Sequence, residues 1–138
     1  MLSRRAMLVM LCTSCALGCD PADARRVVAE DFIDRLFVII DQQSARELAT
    51  GLAVKKLDEE IRLRGDVQID TSTRQPQITY SFLESRGDEQ QPTSSLVYEL
   101  YVSPDGADEF TRRLVLTLRQ VENEWRVGNY TLESATFD

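Results

Sequence analysis

Histidine is absent from this chain of 138 residues. That removes the commonest acid/base group at neutral pH and the commonest metal ligand. The three cysteines, Cys12, Cys15 and Cys19, all lie at the start of the chain. Everything after them lacks a disulfide and a thiol nucleophile. Cations are in the minority, with 16 Lys and Arg against 23 Asp and Glu, a net charge of −7. A nucleic-acid binder needs a basic footprint, so nucleic acid is excluded as a partner. A polybasic grip on anionic lipid is excluded for the same reason. After the first residues, no apolar run is long enough to cross a bilayer as a helix. The length sets one domain, and no repeat or low-complexity tract divides it.

What is present begins with the leader, MLSRRAMLVMLCTSCALGC. Arg4 and Arg5 precede an apolar run from Ala6 to Leu17, too short for a permanent span and fit for a secretory signal. Its end, Ala16-Leu17-Gly18-Cys19, resembles a bacterial lipoprotein signal. The resemblance implies cleavage before Cys19 and acylation of that cysteine, with residues 1–18 as signal peptide and 19–23 as a lipidated tether. Ala16 departs from the usual leucine. Several acyl chains anchor stably where a single chain is marginal. Asp20 follows the cysteine, as in lipoproteins retained at an inner membrane. Ser3 to Leu8 also resembles a twin-arginine export signal, while an ordinary basic region accounts for the same arginines. Cys12 and Cys15 have redox or metal-pair spacing but fall inside the removed segment.

The rest, residues 24–138, reads as helices and then strands. Asp23 can cap a helix. Val28, Phe32, Leu36 and Ile40 recur every four residues, and Ala29, Ile33 and Phe37 widen the stripe. This predicts one amphipathic helix of about 18 residues. Ser44 to Glu47 reads as a capping box opening a short helix. Thr50 can cap a third helix that Val54, Leu57 and Ile61 face inward and Gly65 ends. Val67 and Ile69 alternate weakly, as an edge strand or an ordered loop.

From Pro76 the period becomes two. Ile78, Tyr80 and Phe82 make one strand; Leu96, Tyr98, Leu100 and Val102 a second; Leu114, Leu116 and Leu118 a third. Trp125, Val127, Tyr130 and Leu132 mark a fourth, bulged at Gly128-Asn129. Ser103 to Gly106 and Glu122 to Glu124 are turns. The predicted class is α+β: N-terminal helices packed on a curved antiparallel sheet of four strands or slightly more.

From Ala24 to Glu133 the chain resembles the NTF2-like superfamily, also called SnoaL-like or cystatin-like in fold. The strand, acidic turn and Trp-Arg-Val at Leu116 to Val127 carry most of the resemblance. It implies a cone-shaped sheet wrapped on the first helix, a pocket between them, and frequent dimerisation through the open sheet face. The fold hosts isomerases, dehydratases and non-catalytic accessory domains, so it does not fix an activity.

Family enzymes commonly use an aspartate with a tyrosine or histidine in that pocket. Here Asp34, Tyr80 and Tyr98 are the candidate pocket residues, and a pocket aspartate with a raised pKa beside a tyrosine can move a proton. The competing reading leaves Asp34 in water and packs the tyrosines in the sheet. Arg112 and Arg113 point to opposite faces, so Arg112 can enter the pocket as an anion contact. Trp125 is either an aromatic platform or the core residue closing the last strand. Asp58 to Glu60 reads as a solvated helix face rather than a calcium loop. Asp105, Asp108 and Glu109 are too few for a metal site, and neither metal nor cofactor is expected. The outer sheet face, with Val97, Tyr101, Val115 and Thr117, is semi-apolar and can take a second copy or an envelope protein.

The expected function is a membrane-anchored, non-catalytic binding or accessory domain of the bacterial cell envelope, held to the bilayer through Cys19 and facing the periplasm or the surface. The alternative is a small-molecule isomerase or dehydratase of the SnoaL-like type using an Asp/Tyr pair.

Overall fold

The computed structural model describes residues 23–65, 75–87 and 92–134. The leader, Cys19 with its tether, and the weak alternation at Val67 and Ile69 lie outside them.

Helix α1 spans Ala24–Ile33. Asp23 caps it, its carboxylate accepting from the Arg25 backbone N–H at 3.0 Å. The predicted helix of about 18 residues does not continue as one α-helix. At Asp34–Val38 it widens into a π-turn, and the Ile39 N–H reaches back five residues to the Asp34 carbonyl at 2.8 Å. The extra residue rotates the stripe. Leu36 stays buried while Val38 and Ile39 turn to solvent. Ile40, expected on the core stripe, sits at φ 60° and ends the helix. A β-branched residue there is strained.

Helix α2 spans Gln42–Arg46 and α3 spans Gly51–Arg64. The cap of α2 is Asp41, which accepts from the Ser44 N–H at 3.0 Å. Ser44 itself lies inside the helix, so the capping box expected there is displaced by three residues. Thr50 is the N-cap of α3 without a side-chain bond, and Gly65 ends the helix at φ 58°.

The strands are β1 Gln77–Arg86, β2 Thr93–Ser103, β3 Phe110–Val121 and β4 Glu124–Ser134. They form one antiparallel sheet in the order β1-β2-β3-β4. The β3–β4 turn uses Glu122 and Asn123, both at positive φ, which suits a two-residue hairpin whose twist matches the strands. Register slips at Leu83 in β1 and at Gly128 in β4, the second at the expected bulge.

Alternation fixes the two faces. Leu96, Tyr98 and Leu100 of β2, with Leu114, Leu116 and Leu118 of β3, are fully or almost fully buried. They meet Ala29, Phe32, Ile33 and Leu36, then Ala45, Ala49, Ala53 and Leu57 from the later helices. The alanines let those helices approach closely. The free edge of β4 is partly covered: the Val127 N–H donates to the Leu48 carbonyl and the Thr50 N–H to the Val127 carbonyl, each at 2.8 Å. Such pairing protects an otherwise sticky edge. Leu132, marked for the same strand as Val127 and Tyr130, is half exposed where they are buried.

Candidate functional site

The site grows from α1 and the row of tyrosines it faces. Glu30 and Asp34 stand four residues apart, so both lie on one side of the helical segment. Tyr80 on β1 and Tyr98 on β2 point at them from the sheet. The Tyr80 hydroxyl donates to Asp34 Oδ1 at 2.8 Å. The Tyr98 hydroxyl donates to Glu30 Oε1 at 3.3 Å. The rings meet edge to face, Tyr80 on Tyr98 at 6.0 Å and Phe82 on Tyr98 at 5.5 Å between centroids. Arg26 pairs with Glu30 at 2.9 Å and lies 4.3 Å over the Phe82 ring. A cation on an aromatic face is itself attractive.

Both phenols are held neutral. Burial pushes the Tyr80 hydroxyl well above the ordinary tyrosine range, and the Asp34 carboxylate adds to the effect. Burial does the same at Tyr98, with the Glu30 charge raising it further and Arg26 working against both. A neutral phenol beside a carboxylate is a hydrogen-bond donor, so Tyr80 orients Asp34 rather than competing with it for a proton. The second carboxylate oxygen of Asp34 takes no bond from a described residue.

A third tyrosine repeats the arrangement. Tyr130 on β4 donates to Glu60 on α3 at 2.7 Å, and burial raises its pKa before the carboxylate does. The acidic run at residues 58–60 therefore splits three ways. Asp58 pairs with Arg46, Glu59 with Arg62, and Glu60 holds Tyr130.

The five residues singled out by sequence do not share one cavity. Asp34, Tyr80 and Tyr98 come together. Arg112 lies in the same cross-sheet row as Tyr80 and Leu100, stacked 4.7 Å over Phe110. Trp125 stands at the opposite end of the sheet. There it lines a separate groove of about 470 Å³ with Val28, Leu48, Arg35 and Arg126. The sequence places Phe82 on the first strand but does not assign it, Glu30 or Arg26 to the site. The i, i+4 spacing of Glu30 and Asp34 was the available signal. Among the described residues no three His, Cys, Asp or Glu side chains gather to hold a metal ion.

No protein-family model matches the chain, and no curated protein matches it. Among solved structures, the intermembrane-space region of the chloroplast protein ARC6 overlaps it at a TM-score of 0.39 with 10% identity. The overlap covers 82% of this chain and 90% of that one. At that overlap the likeness carries no argument about fold or activity.

Proposed function

We propose that this chain is an α+β domain of the NTF2-like, SnoaL-like type, its sheet curving as a cone about α1, with Asp34 as an acid/base for a small carbonyl compound. The reaction class is isomerisation or dehydration. The observation that carries it is the 2.8 Å bond from Tyr80 to Asp34 at the π-turn, a helical distortion that often marks functional sites. Asp34 takes a proton from the carbon beside the carbonyl. The C–H electron pair moves into a carbon–carbon double bond and the carbonyl oxygen becomes an enolate. The same carboxylic acid then returns the proton to another carbon, or to a departing hydroxyl that leaves as water. Tyr80 is the positioning residue, fixing the carboxylate without taking part in the transfer.

The test is loss of α-protons in D₂O, followed by proton NMR on small ketones and hydroxyketones. The chain is expected to accelerate exchange, and Asp34→Asn to abolish the acceleration. Exchange at the same rate in Asp34→Asn overturns the reading.

A second reading is a non-catalytic accessory domain of the bacterial cell envelope, tethered to the bilayer through acylated Cys19. The tyrosine–carboxylate pair recurs three times, at Tyr80, Tyr98 and Tyr130. Repetition of that kind suits pins that hold helices to a sheet. The Ala16 to Cys19 leader pattern supports the tether. Under this reading Asp34→Asn changes stability alone. Mass spectrometry of the mature amino terminus tests the anchor, and an unmodified Cys19 removes it.

A further inference from the structure

A groove of about 430 Å³ lies at the end of the sheet where β2 turns into β3, lined mainly from the face turned away from the helices, with Val102 and Phe110 of the opposite parity joining it. Strand register builds it. Thr79, Tyr101 and Thr111 form one row across β1, β2 and β3, and Gln77 pairs with Ser103 beside them. Tyr101 is 43% exposed. Its hydroxyl reaches back along β2 to Glu99 Oε2 at 3.4 Å and lies 3.4 Å from Ser81 Oγ. The ring therefore lies along the strand and offers a face to solvent. Glu109, just before β3, closes the groove and accepts from the Ser103 hydroxyl at 3.2 Å.

The chemistry of the lining selects the ligand. Two rings, Tyr101 and Phe110, and Val102 stand among hydroxyls, an amide and one carboxylate, and the cation beside them, Arg112, is stacked on the Phe110 ring. An anion meets Glu109 and a chain of net charge −7. A purely apolar ligand strands the hydroxyls and the amide without partners. A neutral polyhydroxylated ligand meets both demands. Its C–H face rests on the electron-rich ring. Its hydroxyls pair with groups that both donate and accept. The volume falls in the small-molecule range of roughly 300–1,000 Å³.

We propose that this groove binds a neutral carbohydrate of one or two sugar units, stacked on Tyr101 and held by Thr79, Thr111, Gln77 and Glu109. It lies mainly on the opposite face of the sheet from Asp34 and is independent of any chemistry there.

The experiment titrates cellobiose and N,N′-diacetylchitobiose into the ¹⁵N-labelled full chain held in phosphocholine detergent. Amide shifts are expected to centre on Thr79, Tyr101 and Thr111, with a dissociation constant of about 1 mM. Tyr101→Ala should weaken binding at least about tenfold, while Tyr101→Phe stays within about threefold because the ring is kept. Both variants change an exposed side chain, and their amide dispersion checks the fold. The absence of shifts at about 50 mM of either sugar overturns the proposal. So do shifts centred on Trp125 or Asp34, unchanged binding by Tyr101→Ala, or the same amides moving with protein concentration alone, which marks a second copy on this face.

Discussion

Tyr80 and Asp34 stand 46 residues apart in the chain and are joined by a 2.8 Å hydrogen bond from phenol to carboxylate. The bond fastens the π-turn to the edge strand. Tyr80→Phe removes the donor and keeps the ring against Tyr98, so the cost should be that of one partly exposed hydrogen bond to a charged acceptor, about 1.5 kcal/mol. Asp34→Asn leaves an amide oxygen that still accepts, so it should cost less. Urea unfolding of the two variants measures the order. Equal stability of Tyr80→Phe and the parent would mean the bond is not formed in solution.

The strands were legible because one face of each is buried, or half-buried in β1. Ile78, Tyr80 and Phe82, and then Leu96, Tyr98, Leu100 and Val102, recur at every second position, so a one-residue slip would turn that whole set outward. The bulge at Gly128 was legible for the same reason, since the alternation breaks there. The π-turn was not. Phe37 to Ile40 is apolar throughout, and a stripe cannot report which of its members is squeezed out. That is decided by the Ile39 to Asp34 backbone bond and by Tyr80 pulling on Asp34. Asp41 takes the cap expected of Ser44, because both are good caps and only the path out of Ile40 chooses between them. Arg112 and Trp125 were rightly placed on strands. Each opens its strand, so the antiparallel hairpin between them sets them at opposite ends of the sheet and no single pocket holds both.

High pH should loosen the fold through its tyrosines. Tyr80, Tyr98 and Tyr130 all have folded-state pKa values raised by burial and by carboxylates. A raised value means that the folded state holds the proton more tightly than the unfolded chain. The stabilisation is fully present below the unfolded phenol value of about 10 and is lost as pH climbs above it. Phenolate absorbance and circular dichroism, followed together through an alkaline titration, check this. The ionisation of these three should coincide with unfolding. Phenolates at all three appearing near the unfolded value, in a chain still folded, would contradict it.

Arg25 is a buried cation at the start of α1, 4% exposed. Its guanidinium meets Asp23 at 2.6 Å, Ser94 Oγ at 2.6 Å and Ser85 Oγ at 3.2 Å. It thus ties the first helical turn to β1 and β2 at once. Arg25→Met keeps the stem and removes the guanidinium bonds, leaving the Ser94 hydroxyl, 2% exposed, without this donor. Breaking a buried charged network by one partner costs up to about 3–5 kcal/mol, and the partly exposed Asp23 should hold the loss to roughly 2–3. Arg25→Lys should recover only part, because an ammonium cannot span three partners in a plane. Thermal melts of the pair give the ranking, and a Lys variant as stable as the parent would show that charge alone matters.

Gly128 allows the side chain of Arg119 to cross β4. A Cβ at that position would stand 2.8 Å from Arg119 Cδ and 3.1 Å from its Cγ, with the Thr117 carbonyl at an ordinary 3.6 Å. Its φ is not positive, so the backbone accepts alanine and the obstacle is the arginine stem. Gly128→Ala should therefore destabilise by about 1 kcal/mol, the lower end of overpacking, since an exposed arginine can swing away. In an Arg119→Ala background the obstacle is gone, and the same change should be neutral or slightly stabilising through the lost glycine entropy. A double-mutant cycle by urea unfolding isolates this coupling, because the two side chains touch and should not behave additively. Additive effects would mean that Arg119 does not lie across the bulge, and the need for glycine at Gly128 would then come from the backbone register of β4 itself.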